Sequence, residues 1–290
     1  MRQRNRALYI KLLLGLGVLL AALSGCGSRE AVTATAAESP ANATAGSVNI
    51  FLRGDSAKIE GRGAEIEKGV LVIHEGGTYR LTGESRLPIE VRAANVSVTL
   101  YLENVKLHTW GNSAIRAVQR GDLTLIFAGE ETNSIETEGR EQKDGSAADP
   151  KGVDAAIFAK GNLTLRGSGS ANIKAANRGI VAKGELVVAE GIFDLRTEDD
   201  IFCGKESVTL QGGTVRASAQ GDKGKGVSSD GAVTLSGGSY VFEHTSEGIE
   251  GKTIEMSGGS FDISADDDGM NAREHYDKEE TKTKKKEANP

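Results

Sequence analysis

The chain has 290 residues, 35 Lys+Arg against 41 Asp+Glu, a formal net charge of −6, and 38 Gly beside only 4 Pro. An acidic balance of this kind argues against nucleic acid as a partner, because a phosphate-binding surface needs a basic stripe. The Gly excess implies a chain with many corners, made by Gly and Asn rather than Pro.

The N-terminus gives an address. Arg2, Arg4, Arg6 and Lys11 lead into an apolar stretch from Leu12 to Leu23. A basic start, about a dozen apolar residues and small residues before a cut describe a secretory signal over residues 1–25, too short for a comfortable membrane span. Leu23-Ser24-Gly25-Cys26 closely resembles the bacterial lipobox, with the Cys26 thiol as the site of lipidation. Several acyl chains anchor firmly where one binds only marginally, so the expected location is extracytoplasmic and membrane-anchored, at the cell surface or facing the periplasm. Residues 26–47 are expected to form a flexible tether. Loss of the leader removes four basic residues, leaving 31 Lys+Arg against 41 Asp+Glu, or a net charge of −10. Divalent cations are natural ligands for such a surface.

Next come short alternating runs. Val70-Leu71-Val72-Ile73 leads to Gly76-Gly77 and Tyr79-Arg80-Leu81, followed by Ile89-Glu90-Val91, Val96–Leu100, Ala114-Ile115 and Leu123–Ile126. Alternation with period 2 predicts half-buried strands. The polar stretch over residues 128–152 reads as a loop leaving the framework, and loops of that length are more often functional or mobile than filler.

From Val153 to Ala272 one unit repeats. Aliphatic anchors stand at Ile157, Ile180, Ile201, Val227, Ile249 and Met270, spaced 23, 21, 26, 22 and 21 residues apart. After the first five anchors comes an alternating run such as Val208-Thr209-Leu210, and then a Gly-rich corner, clearest at Gly212-Gly213, Gly237-Gly238 and Gly258-Gly259. A period near 22 without a helical stripe predicts an all-β right-handed parallel β-helix of about ten coils, one domain over residues 48–272. A β-sandwich has no reason to repeat. Stacked coils turn the interior into ladders of like residues. Tyr79, Phe193, Val215, Tyr240 and Phe261 are expected in one ladder, and Leu81, Leu195, Ala217, Phe242 and Ile263 in the next. Cys203, beside Ile201, reads as a small buried hydrophobe. The charged tail, residues 273–290, is expected to be disordered, and nothing evident caps the C-terminal coil.

The chemistry gathers beside the anchors. Candidate metal donors are Asp199, Asp200, Asp222, Glu247, Asp266, Asp267 and Asp268, hard oxygens of the class that suits Ca²⁺. Like charges stacked a coil apart repel, so this edge needs a counter-ion or simply remains solvated. A basic row follows the anchors by three residues, at Lys160, Lys183, Lys252 and Arg273, with Lys205 one position later. It either tracks the carboxylates of an acidic ligand or merely neutralises the acidic edge. Trp110, the only Trp, reads as a corner residue able to meet a sugar ring. His74, His108, His244 and His275 are scattered outside the carboxylate clusters, so no His-based site is expected.

The run Ala155–Gly167, the run Arg178–Lys183 and the closing Asp267-Asp268-Gly269-Met270-Asn271-Ala272 resemble units of the bacterial carbohydrate-binding β-helix lipoproteins. The segment Gly129–Ile135, then an insertion, then Asp154–Ile157, also matches that family's arrangement. The likeness spans residues 48–272. It implies a fold similar to pectate lyases, bound calcium, and binding of acidic polysaccharide of the polygalacturonate type, with cellulose as a second candidate. The fourth unit departs from the pattern, reading Gly224-Lys225-Gly226-Val227 where an acidic Asp-Gly-Ile is expected. A lyase would need a basic residue over a Ca²⁺-bound uronate, with Lys183 or Lys205 as candidates. Adjacent Asp residues on a strand face opposite ways and make a poor two-carboxylate machine. The reading is therefore a non-catalytic polysaccharide-binding surface lipoprotein, with a polysaccharide lyase and a structural adhesin as alternatives.

Overall fold

Alternating apolar residues put one side chain in two on the inside, and successive repeats stack those positions into ladders. The computed structural model describes residues 8–13, 47–139 and 155–273, and these are β-strands, turns and bends with no helix. They form a parallel β-solenoid of about 8 turns with a repeat near 23 residues. One sheet has ten strands, from Ala64–Glu67 to Met270–Ala272; the other has fifteen. The larger sheet wraps two sides of each coil because Ser97–Trp110, Ala232–Thr245 and Thr253–Ala265 run unbroken through the corner.

The coil count is lower than expected because some chain length is spent outside the stack. Val48–Gly54 pairs antiparallel with Ser56–Glu60, and Ala64–Glu67 with Val70–Ile73, so two hairpins close the N-terminal end. Ile115 pairs directly with Ile157, so the polar insertion adds no coil. At the other end Leu8–Leu13 runs antiparallel along the last long strand, from Leu8 opposite Ala265 to Leu13 opposite Ser260. This segment belongs to the expected leader, so it covers the outer edge only while the leader remains on the chain. Cys26, the tether through residue 46, the heart of the insertion and the tail beyond residue 273 lie outside the described residues. No helix among the described residues is long and apolar enough to cross a membrane.

The anchor ladder is continuous: Leu71, Ile89, Ile115, Ile157, Ile180, Phe202, Val227, Ile249 and Met270 stand in register. Phe202, not Ile201, holds the anchor place. Ile201 precedes it and is also fully buried. The shift puts Cys203 opposite Val181 and Ser228 on the outer side, half-buried, rather than in the core. Burial and the nearby Asp200 carboxylate both push its thiol pKa up.

The aromatic ladder holds for four of its five members. Phe193, Val215, Tyr240 and Phe261 stack in register, with Leu195, Ala217, Phe242 and Ile263 beside them. Tyr240 lies flat on Phe261 at 5.2 Å and 5°. Tyr79 and Leu81 do not join. They pair with Leu100 and Leu102, on the neighbouring side of the coil. In that coil Ser85, beyond the corner, takes the Leu195 rung through Leu107, Ile135 and Ile173. A second inner feature is polar: Thr109, Thr137, Thr197 and Thr245 are buried at the end of this side. The hydroxyls of Thr109 and Thr197 donate to turn carbonyls, that of Thr245 donates to the strand carbonyl of Ser264, and that of Thr137 accepts from the Ala176 N–H.

The Gly-Gly corners have a backbone cause. Gly213, Gly238 and Gly259 have φ of 85°, 86° and 95°, left-handed values that cost an L-residue roughly 1–2 kcal/mol. A Cβ on Gly238 would lie 2.7 Å from the Gly212 carbonyl oxygen and 2.6 Å from the Tyr240 ring. Gly238→Ala should therefore lower stability by at least about 1–2 kcal/mol, read as a drop in melting temperature. An unchanged melting curve would mean that the corner relaxes freely.

Candidate functional site

The inner ladders dictate what faces outward. On Asn133–Glu138, Ser170–Ala175, Ile192–Thr197 and Thr214–Ala219, the residues between the buried ones are Glu136, Lys174, Arg196 and Ser218, aligned rung by rung. His108, on Ser97–Trp110, extends this row because it stands opposite Glu136. A second outward row comprises Ser134, Asn172, Asp194 and Arg216. Above these strands runs an open groove of about 600 Å³, lined by Glu138, Lys174, Asn177, Arg196, Glu198 and Gln220 among others. A shallower hollow of about 340 Å³ adjoins it over Glu136, Asn172, Lys174 and Asp194.

Charges of both signs lie along the floor. Lys174 Nζ donates to Glu136 Oε1 at 2.5 Å, a bond that raises the lysine pKa. Arg196 Nε lies 3.9 Å from Asp194, and Arg216 donates to both oxygens of Glu243 at 2.9 and 3.0 Å. Exposed pairs of this kind contribute only about 0–1 kcal/mol each, so an incoming anion can draw the cations away at small cost. At the head of the groove stands Trp110, 46% exposed. Its indole Nε1 donates to Glu138 Oε2 at 3.0 Å, and its ring lies over His108 with centroids 4.1 Å apart.

The residues singled out from the sequence are distributed differently. Lys160, Lys183 and Lys205 do stack, because Ala159, Ala182 and Gly204 before them are in register. The Phe202 shift removes the apparent offset of Lys205. Asp230 breaks the row before Lys252, and the recess there, bordered by Lys183, Lys205 and Asp230, is only about 190 Å³. This corner is not the main groove.

The seven carboxylates do not converge. Asp222, Asp266, Asp267 and Asp268 are exposed, whereas Asp199, Asp200 and Glu247 are half-buried. Asp200 Oδ1 accepts the Lys225 N–H at 3.0 Å, and burial pushes its pKa up. Lys225, the residue that departs from the family pattern, pairs with Glu250 and lies 3.8 Å from Glu247. Arg273 meets the other oxygen of Glu250 at 2.5 Å. Lys225 thus supplies a counter-ion to part of the acidic edge.

Two clusters that the sequence did not suggest bring three potential metal donors together among the described residues: Glu65, Glu67 and His74, and His108, Glu136 and Glu138. His74 and His108 therefore each stand beside two carboxylates, a juxtaposition their scatter in the sequence did not suggest. The partners lie 28 and 30 residues from His108 and meet it only because coils stack. The groove residues Lys174 and Arg196 were also missed. Their signal was present, since fixing Leu195 inward places Asp194 and Arg196 outward.

No curated protein matches the chain. Among solved structures it is similar to a polysaccharide lyase-like protein from C. thermocellum, solved as a gadolinium derivative. That likeness has 18% identity and a TM-score of 0.62, covering 79% of this chain and 98% of the other. At that identity it supports the fold alone. A family model matches residues 67–288, most of the solenoid and all of the groove, and on that match the chain belongs to the carbohydrate-binding domain-containing protein family.

Proposed function

We propose that this protein binds an acidic polysaccharide of the polygalacturonate kind along the Lys174–Arg196 groove and does not cleave it. The observation that carries the reading is the groove itself: an open channel with cations on successive rungs about 4.8 Å apart, each held by a weak exposed pair. Trp110 offers an aromatic face at one end for a sugar ring. In this reading Ca²⁺ belongs to the acidic edge, at half-buried Asp199, exposed Asp222 and residues 266–268, where hard oxygen donors are the suitable class. Esterification tests it, since it removes the uronate charge but leaves ring shape. Polygalacturonate should bind better than its methyl ester, and EDTA should weaken binding until Ca²⁺ is restored. Asp199→Ala with Asp268→Ala should abolish the calcium effect. Binding indifferent to esterification and lost on Trp110→Ala would replace electrostatic recognition by an aromatic platform. Unsaturated products absorbing in the ultraviolet would make the protein a lyase.

The proposal includes an envelope location, with lipid on Cys26 as the anchor. Cys26→Ala should move the protein from the detergent phase to the aqueous phase. Retention in the detergent phase would reject lipidation at that residue.

A further inference from the structure

We propose that His108, Glu136 and Glu138 form a binding site for a divalent transition metal of the zinc class at the head of the groove. One ligand atom from each residue lies within 4.8 Å of the others. His108 Nε2 is 2.9 Å from Glu138 Oε1, so imidazole and carboxylate already face each other as two ligands of one ion would. A Zn²⁺ ion takes His nitrogen and carboxylate oxygen at about 2.0–2.2 Å, which asks the His108–Glu138 pair to open slightly and Glu136 to close on the same point. Imidazole nitrogen together with carboxylates selects zinc-class metals over Ca²⁺, whose ligands are oxygens.

The supporting contacts resemble those that orient metal ligands elsewhere. Trp110 Nε1 holds Glu138 Oε2 at 3.0 Å, which leaves Oε1 directed at His108. Lys174 holds Glu136 Oε1, leaving the second oxygen to serve as ligand. The Trp110 ring packs on the imidazole and fixes its plane. All three ligands are on neighbouring parallel strands, Ser97–Trp110 and Asn133–Glu138, whose register puts His108 opposite Glu136 and Trp110 opposite Glu138. Three protein ligands leave a coordination position open, and Glu138 lines the groove from which it would be filled. The other cluster sits on the Ala64–Glu67/Val70–Ile73 hairpin at the N-terminal end, away from the groove.

The test uses full-length untagged protein in detergent, stripped with EDTA and dialysed. Zn²⁺ is titrated by calorimetry, and Co²⁺ is followed through its visible absorption. One equivalent should bind with a Kd in the micromolar range or tighter. His108→Ala and the near-isosteric Glu138→Gln should each weaken it by about tenfold or more, whereas His74→Ala should leave the stoichiometry at one. Circular dichroism verifies that the variants keep their strands. Wild-type zinc binding that is undetectable, unchanged in His108→Ala, or abolished by His74→Ala would overturn the proposal. Polygalacturonate binding with Ca²⁺ alone restored is read separately. If it persists while zinc fails to bind, the metal site falls and the glycan reading stands.

Discussion

Lys174→Ala combined with Arg196→Ala should lower polygalacturonate affinity by one to two orders of magnitude with little effect on stability. Hydrogen bonds to charged groups contribute roughly 1.5–3 kcal/mol each when they are made. In an open groove the low end applies, and about 1.4 kcal/mol is tenfold in affinity. The stability cost is small because the pairs that would be lost, to Glu136 and Asp194, are solvent-exposed. Lys160→Ala, Lys183→Ala and Lys252→Ala in one chain form the control. If the triple variant loses binding and the double variant keeps it, the ligand follows the corner row and not the groove. Calorimetry at two salt concentrations adds a further check, since electrostatic binding weakens as screening rises.

Phe242→Ala should be the most damaging single core change, costing about 3–5 kcal/mol. The ring is fully buried. It meets Phe202 edge-on at 6.4 Å and Tyr240 at 6.1 Å, and it packs so closely on Gly226 that a Cβ there would be 2.9 Å from it. Its ladder neighbour Ala217 is too small to fill the space left behind. In a solenoid each coil contacts only its neighbours, so the damage should be local. Hydrogen exchange should show the coils carrying Ile249 and Met270 losing protection first, while those around Ile115, Ile157 and Ile180 stay protected. A uniform loss along the whole chain would show that the solenoid unfolds as a single cooperative unit.

The solenoid fold agrees with what the repeat implied, and membership in a carbohydrate-binding family agrees with the resemblance of its units. The site was only partly legible. Trp110 was identified from its place beside Gly111-Asn112 and proves exposed at the groove head. The lysine row was also identified, and three of its members stack. Lys174 and Arg196 stand on a different side of the coil from the residues beside the anchors, and only their alternation with Ile173 and Leu195 marks them in the sequence.

The sequence alone determined the strands, the Gly corners and most of the inner ladders. In a solenoid the residue one repeat away is also the spatial neighbour, so a local pattern is already a statement about tertiary contact. The tertiary structure decided the rest. Whether Ile201 or Phe202 takes the anchor place, and whether Tyr79 stands with Phe193 or with Leu100, depends on a slip of one residue or on which side of the coil a strand joins. Such a slip turns a side chain to the opposite face, and composition carries no record of it. The same holds for His108 meeting Glu136 and Glu138, and for Lys225 meeting Glu247 and Glu250. These charges are brought together by stacking across coils, and their chemistry exists only once the register is set.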